Sequence, residues 1–564
     1  MPTSTRAALD MVKPARPCAE LASVDIGGIG GNGSKITAAE ETSTNGVVAC
    51  RVTGVLAPSI GFEIRLPMAT WTQRYLQVGC GGLCGDIRLD TGAANGCVPL
   101  QAGGFVVGGT DMGHQGRDPS FGDDLQRRAD FAYRAQHLTT VTAKRLIQAF
   151  YGRPQAYAYF TGCSDGGREA LVEAQRYPED FNGVIAGAAA MNFQVQNALF
   201  HAWQARANIG PDGKAILLAA RLPVLHKAVL AACDRLDGLE DGLVSDALAC
   251  RFDPGSIQCP AGSLDTAPCL TGAEVAVVRK LYDGPRDPRT NERLTVAGPL
   301  PGSELAWAGV YVPASADRPA VSRFIALEAL RGMVFEKNPA AGFELKDLAF
   351  DRATFDRLRP LHPLYDATNP DLSAFAAAGG KLILWHGFAD PHISPVNTIA
   401  YHTAVEGLMG RERTAAFERL YLFPGMYHCS GGDGPSQVDL LTPILAWVET
   451  GEAPEAVIAR QPEVDAASDF GAPGMHGPGP LGASGGAFDP GPRPGSPTGR
   501  QATGSTATIV RARPVYPYPV TAAYDGHGDP NRAESFGPGN PTVTFTMPVW
   551  AGSDFYHPDA PLRR

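Results

Sequence analysis

The sequence predicts an α/β fold: a doubly wound, mostly parallel sheet covered on both faces, with a further domain inserted into it. Three observations carry this. Short apolar strands alternate with helical segments in both end regions of the chain. The alternation breaks between about residues 191 and 370. A glycine-rich turn, Gly162-Cys163-Ser164-Asp165-Gly166, falls between a predicted strand and a predicted helix. The expected organisation is a first sheet segment over 1–190, an inserted domain over 191–370, and a second sheet segment over 371–564.

The elements follow in order. Tyr75 to Val78 (YLQV) and Gly104 to Val107 (GFVV) read as strands. Gln155 to Phe160 (QAYAYF) is an aromatic and apolar run entering Thr161-Gly162. Arg168 to Tyr177 then reads as a helix, with Ala170, Leu171, Ala174 and Tyr177 on one stripe and Pro178 as its stop. Gly183 to Ala186 (GVIA), Lys381 to Trp385 (KLILW) and Arg419 to Phe423 (RLYLF) complete the strand set, and Val321 to Phe335 is helical within the insertion. Asp469 to Gly504 is dense in Gly, Pro and Ser and reads as a surface tether.

In a chain with 66 glycines, G-x-S-x-G alone is a weak signal. Its strand–turn–helix context makes it the nucleophile elbow of the α/β-hydrolase fold, with Ser164 as the nucleophile. That fold orders its triad Ser, acid, His. Asp390 lies in the loop after the KLILW strand, and His428 lies in the loop after RLYLF. Asp433 is a competing acid, but no strand separates it from His428. His386, His392 and His402 are competing bases, read as structural or pocket-wall residues. Cys163 precedes Ser164 and Cys429 follows His428. If the serine and the histidine meet, the cysteines beside them are close enough to form a disulfide.

The segments Gly162-Cys163-Ser164-Asp165-Gly166-Gly167-Arg168, Trp385-His386-Gly387-Phe388-Ala389-Asp390 and Tyr427-His428-Cys429 resemble the signatures of the tannase and feruloyl esterase family. The resemblance runs from about Cys18 to about Phe536. It implies acyl-enzyme chemistry on esters of phenolic acids. Terephthalate-monoester hydrolases share the family, so the resemblance leaves the substrate open. One oxyanion-hole N–H belongs to the residue after the nucleophile, Asp165. The resemblance places the other at Gly82, in the glycine-rich run 79–85. The insertion resembles the family's lid domain. Asp111 and His114 recur in the family, and a structural role is expected for both.

Cys233 to Leu243 (CDRLDGLEDGL) crowds carboxylates at a density that calls for a cation, but its spacing is not that of an EF-hand. Its likeness to the family's calcium loop implies structural Ca²⁺ held by side chains of Asp234, Asp237 and Asp241 and carbonyls of Leu239 and Leu243. Spacing alone does not determine connectivity among the 11 cysteines. The expected pairs are Cys163–Cys429, Cys233–Cys250, Cys259–Cys269 and Cys18–Cys50, with Cys84–Cys97 as a further pair. A carboxy-terminal bridge usual in the family is expected to be missing, because Tyr516 and Gly537 stand at its two positions.

Orderly disulfides imply a secreted or periplasmic protein. Residues 1–30 hold no apolar signal-peptide core, so the expectation is a chain that begins after processing or has its start upstream. The net charge of −10 without a basic block makes nucleic acid an unexpected partner. The apolar run 215–233 is broken by Arg221, His226 and Lys227, so no membrane span is expected. The predicted partner is a small aromatic ester. A calcium-stabilised phenolic- or carbohydrate-binding protein without catalysis is the alternative of another class; a complete Ser-Asp-His set argues against it.

Overall fold

The computed structural model describes residues 7–116, 118–340, 342–463 and 508–558. The tether expected at 469–504 lies outside the described residues.

A nine-stranded sheet organises the chain. Its strands are β1 (Lys35–Thr44), β2 (Val47–Leu56), β3 (Ile60–Pro67), β4 (Arg74–Val78), β5 (Phe105–Thr110), β6 (Tyr157–Cys163), β7 (Gly183–Gly187), β8 (Lys381–Gly387) and β9 (Glu418–Phe423). Their spatial order is β1-β2-β3-β5-β4-β6-β7-β8-β9. Pairing is parallel from β5 through β9, while β1, β2 and β3 extend the sheet antiparallel. The sequence reading did not foresee this antiparallel extension. β1 is mostly polar and half exposed, so it offers no apolar run to recognise.

The parallel strands are buried on both faces, and alternate residues serve two separate cores. Ala158, Phe160, Leu382 and Leu384 face one core. Tyr159, Ile185, Ile383 and Trp385 face the other. The principal helices are α1 (Ala135–Tyr151), α2 (Asp165–Arg176), α3 (His201–Ala207), α4 (Leu222–Cys233), α5 (Gly272–Asp283), α6 (Val321–Gly332), α7 (Val396–Met409) and α8 (Leu441–Thr450). Helix α2 packs on β6 and β7, and α8 supports β7 and β8. The chain leaves the sheet after β7, forms α3 to α6, and returns at β8.

Disulfides join Cys18–Cys50, Cys80–Cys84, Cys163–Cys429, Cys233–Cys250 and Cys259–Cys269. The expected Cys84–Cys97 pair is wrong. Cys84 adopts φ 59° at the end of a tight turn, 5.4 Å in Cα distance from Cys80. Cys97 stays a thiol, buried in the core beyond the opposite face of the sheet.

Asp111 and His114 follow β5. Asp111 Oδ1 accepts N–H bonds from Gly61 and Gly113, each at 2.9 Å. His114 stacks on Phe121, ring centroids 3.8 Å apart. Burial pushes the Asp111 carboxyl up to about 6, against those two N–H groups, and pushes the His114 ring down to about 4. The unfolded Asp111 carboxyl titrates near ~3.9. Between about pH 4 and 6 the folded protein therefore binds the extra proton, and stability falls as pH rises through that window. Asp111→Asn keeps an acceptor oxygen and loses the charge. It should flatten this segment of the urea-midpoint profile and raise stability at pH 7.5 by on the order of 2 kcal/mol. A profile still parallel to wild type between pH 4 and 6 would exclude Asp111 as its source.

Candidate active site

The turn between β6 and α2 holds Ser164 at φ 66°, ψ −121°. That is a strained conformation for a non-glycine residue and the one a nucleophile elbow imposes. Its neighbours explain the glycines. A Cβ on Gly162 would lie 2.3 Å from the Gly166 carbonyl oxygen, and one on Gly167 would lie 2.3 Å from the Gly187 carbonyl oxygen. One on Gly166 would meet Gly79 and Cys80 at 2.9–3.0 Å. The elbow is thus clamped between the glycine-rich loop after β4 and the end of β7. Gly167, Arg168 and Ala190 donate their N–H groups to the Ser164 carbonyl.

Asp165 is the first residue of α2, where a backbone N–H has no intrahelical acceptor. Its side chain turns away into a buried two-point ion pair. Arg168 Nε and Nη2 donate to Asp165 Oδ1 and Oδ2 at 2.6 and 3.0 Å. The same guanidinium donates to the carbonyls of Phe131, Ala132 and Tyr365. Gly82 lies in the Cys80–Cys84 loop at φ 66°, and a Cβ there would meet nothing within 4 Å. Glu169 anchors that loop from α2: its Oε2 accepts the N–H of Cys80 at 3.1 Å and the Gln136 amide at 2.6 Å.

Asp390 lies just past β8 and His428 just past β9. His428 Nδ1 donates to Asp390 Oδ2 at 2.6 Å, with both side chains buried. Asp390 Oδ1 accepts the N–H groups of His392 and Ile393 at 2.7 and 3.0 Å. Burial works against ionising Asp390, yet His428 and His386 overcome it and hold the carboxyl well below the usual carboxylate range. The Cys163–Cys429 disulfide spans a Cα distance of 5.9 Å. Ser164 and His428, each next to one of its cysteines, therefore sit on abutting loops. Gly387 permits the close seam, since a Cβ there would lie 2.3 Å from the Met426 carbonyl.

Asp433 and His402 have other partners. Asp433 accepts the Tyr427 hydroxyl at 2.8 Å. His402 Nδ1 pairs with Glu418 at 2.7 Å. The His392 ring lies 5.0 Å from that of His428, as a wall of the site.

Outside the junction, Asp234 opens a turn closed by Cys233–Cys250 and accepts the N–H groups of Asp241 and Gly242 at 3.2 and 3.0 Å. Asp237 accepts the N–H of Leu239 at 3.0 Å. Leu243 is buried beside them. The loop fits a cation with oxygen ligands. Asp241 Oδ1 is buried without a hydrogen-bond partner. Burial, with the charges of Asp241 and Asp234, pushes the Asp237 carboxyl up. Arg513 Nη2 reaches Asp241 Oδ2 at 2.5 Å and offsets one of the three charges. Sequence reasoning missed that arginine; it arrives from 272 residues away and no local pattern announces it.

Among the described residues, two other clusters have metal-ligand spacing. Cys80, Cys84 and Glu169 have their sulfurs tied up in a disulfide. His137, Glu173 and Asp180 already have a cation, with Lys144 Nζ 3.3 Å from Asp180.

The sequence profile described as tannase and feruloyl esterase matches residues 44–538. The chain belongs to that family. An uncharacterized esterase of Xanthomonas campestris pv. campestris is 33% identical over 535 residues, covering 86% of this chain and 84% of that protein. A mono(2-hydroxyethyl) terephthalate hydrolase of Piscinibacter sakaiensis is 30% identical over 550 residues, covering 86% and 84%. Among solved structures, feruloyl esterase B from Aspergillus oryzae shares the fold at TM-score 0.74 and 24% identity, over 93% of this chain and all of that one. Membership of the tannase and feruloyl esterase family makes the chain a carboxylic ester hydrolase.

The bridge beside Ser164 and His428 predicts a separation of activity from folding. Cys163→Ala should lower kcat about tenfold or more while KM holds, because a small displacement of reacting groups is costly. Loss of the disulfide should cost about 2–4 kcal/mol of stability, which leaves the protein folded at 25 °C. Full activity in the variant would show that the bridge does not align the site.

Proposed function

We propose that this chain is a serine ester hydrolase acting on aromatic (phenolic) acid esters, feruloyl or galloyl esters among them. The observation that carries the reading is the joined pair of loops: the strained Ser164 turn bridged covalently to the His428 loop, with His428 Nδ1 2.6 Å from the buried Asp390 carboxylate.

In this reading Asp390 holds the Nδ1–H tautomer of His428, which makes Nε2 the base that takes the Ser164 proton. Ser164 Oγ attacks the ester carbonyl. The N–H groups of Asp165 and Gly82 receive the oxyanion, each worth about 3 kcal/mol in the transition state. His428 passes its proton to the departing alcohol. Water, deprotonated by the same imidazole, then opens the acyl-enzyme. The region over 191–370 serves as a lid and supplies substrate selectivity.

Asp234, Asp237 and Asp241, with the carbonyls of Leu239 and Leu243, would hold structural calcium. Bound there, the ion supplies positive charge that relieves carboxylate repulsion. The disulfides support a secreted or periplasmic setting. Among the described residues no helix is long and apolar enough to cross a membrane.

Hydrolysis of a terephthalate monoester is the second reading, favoured by the Piscinibacter sakaiensis relative. Rates on methyl ferulate, methyl gallate and mono(2-hydroxyethyl) terephthalate separate the two; the phenolic reading requires the first or second to be fastest. Silence on all three would defeat both. An organophosphate should label wild type and not Ser164→Ala. Chelation by EGTA should lower the melting temperature by several degrees and added calcium should restore it, since a ligand of the native state stabilises by mass action. Asp237→Asn should abolish that response. Melting curves unchanged by EGTA would remove calcium from the reading.

A further inference from the structure

Asp390 has a second imidazole partner. His386 lies near the end of β8, four residues before Asp390, and both side chains are fully buried. Its Nε2 is 3.0 Å from Asp390 Oδ2 and 3.0 Å from the Ile393 carbonyl oxygen. A carboxylate and a carbonyl only accept, so Nε2 carries the hydrogen and donates to both. On the other side of the ring, Nδ1 lies 2.7 Å from the hydroxyl of Thr398, a buried residue in the first turn of α7. A neutral ring with its hydrogen on Nε2 accepts the threonine hydroxyl there. The Asp390 carboxylate and the Ile393 carbonyl, which only accept, select this tautomer, and Thr398 completes it by donating to Nδ1.

The Asp390 carboxylate is consequently held at both oxygens. Oδ1 takes two backbone N–H groups, and Oδ2 takes His428 and His386. We infer that His386 is a positioning residue for the hydrolysis: its Nε2–H fixes the rotation of the Asp390 carboxylate and shares the charge on Oδ2, so that His428 is held against it in one orientation. The inference rests on the Ser164–His428–Asp390 mechanism proposed above. A buried anion stripped of one donor concentrates its field on the donor that remains and favours the protonated imidazole. The other titratable groups around this centre are His392, His201 of α3, whose ring is 5.7 Å from that of His392, and Tyr311, which follows α5.

A purely structural histidine bracing β8 would not alter the titration of His428, and this separates the two roles. The test uses the full chain and whichever ester of the panel is hydrolysed fastest. For His386→Phe, kcat should fall about 10- to 100-fold with KM within about twofold, as a misplaced reacting group requires. The acid limb of kcat/KM should move to higher pH. His386→Gln, whose amide can donate from the position of Nε2, should recover much of both. Thr398→Val, which leaves the imidazole in place but removes the hydroxyl that braces it at Nδ1, should shift the limb in the same direction by less. The inference is overturned if His386→Phe loses activity with an unmoved acid limb, or if His386→Gln is no better than His386→Phe. Should His386→Phe not fold, an unmoved limb in Thr398→Val overturns it as well. Organophosphate labelling of wild type keeps the two levels apart. No labelling of Ser164 sinks the mechanism and this inference together; labelling with an unmoved limb in the variants sinks only the role of His386.

Discussion

A covalent bond between two loops underlies the rest of this structure. Parallel strands deliver their following loops to one edge of the sheet, but they do not hold those loops in register with one another. Here the loops after β6 and β9 are tied by Cys163–Cys429, and the loop after β8 is pressed against the second of them at Gly387. Three strand ends, at Cys163, Gly387 and Phe423, become one rigid junction. The strained backbone at Ser164 persists because its surroundings over-determine it: β7 behind, the glycine loop in front, and α2 beginning at the next residue.

Charge is arranged around that junction with the same economy. Asp165, Glu169 and Asp390 are each matched by a donor that also fixes geometry. Arg168 draws the Asp165 side chain aside while fastening α2 to the carbonyls of Phe131, Ala132 and Tyr365. Glu169 reaches from α2 to the backbone of the loop bearing Gly82. Asp390 gathers two imidazoles and two backbone N–H groups, and these keep it ionised where burial alone would not. A buried ion unpaired in any of these places would cost several kcal/mol, so the packing and the electrostatics stand or fall together.

The loop from Asp234 to Leu243 follows a different logic. Its carboxylates outnumber their cationic neighbours: Arg235 pairs with Glu240 inside the loop, and the countercharge on Asp241, Arg513, comes from the far end of the chain. The disulfide Cys233–Cys250 closes the segment at its base, which keeps three like charges near one another despite their repulsion.

Local chemistry determined much of this protein. The apolar runs of β4 to β9, the strand–turn–helix setting of Ser164, and the positions of Asp390 and His428 after consecutive strands were legible because each depends on a few neighbouring residues. So was the Cys163–Cys429 bridge, since both cysteines adjoin residues that a shared site brings together. Tertiary structure alone decided the remainder. Strand β1 escapes recognition because a half-exposed antiparallel edge needs no apolar run; the apolar alternation of β2 and β3 was legible and went unread. Cys84 chose Cys80 over Cys97 because a tight turn puts one within reach and the sheet stands between it and the other. His386 reads in sequence as one more buried histidine. Only the folded chain, by closing β8, its following loop and α7 around one ring, sets its donor against Asp390, and that requires distances that no spacing along the chain encodes.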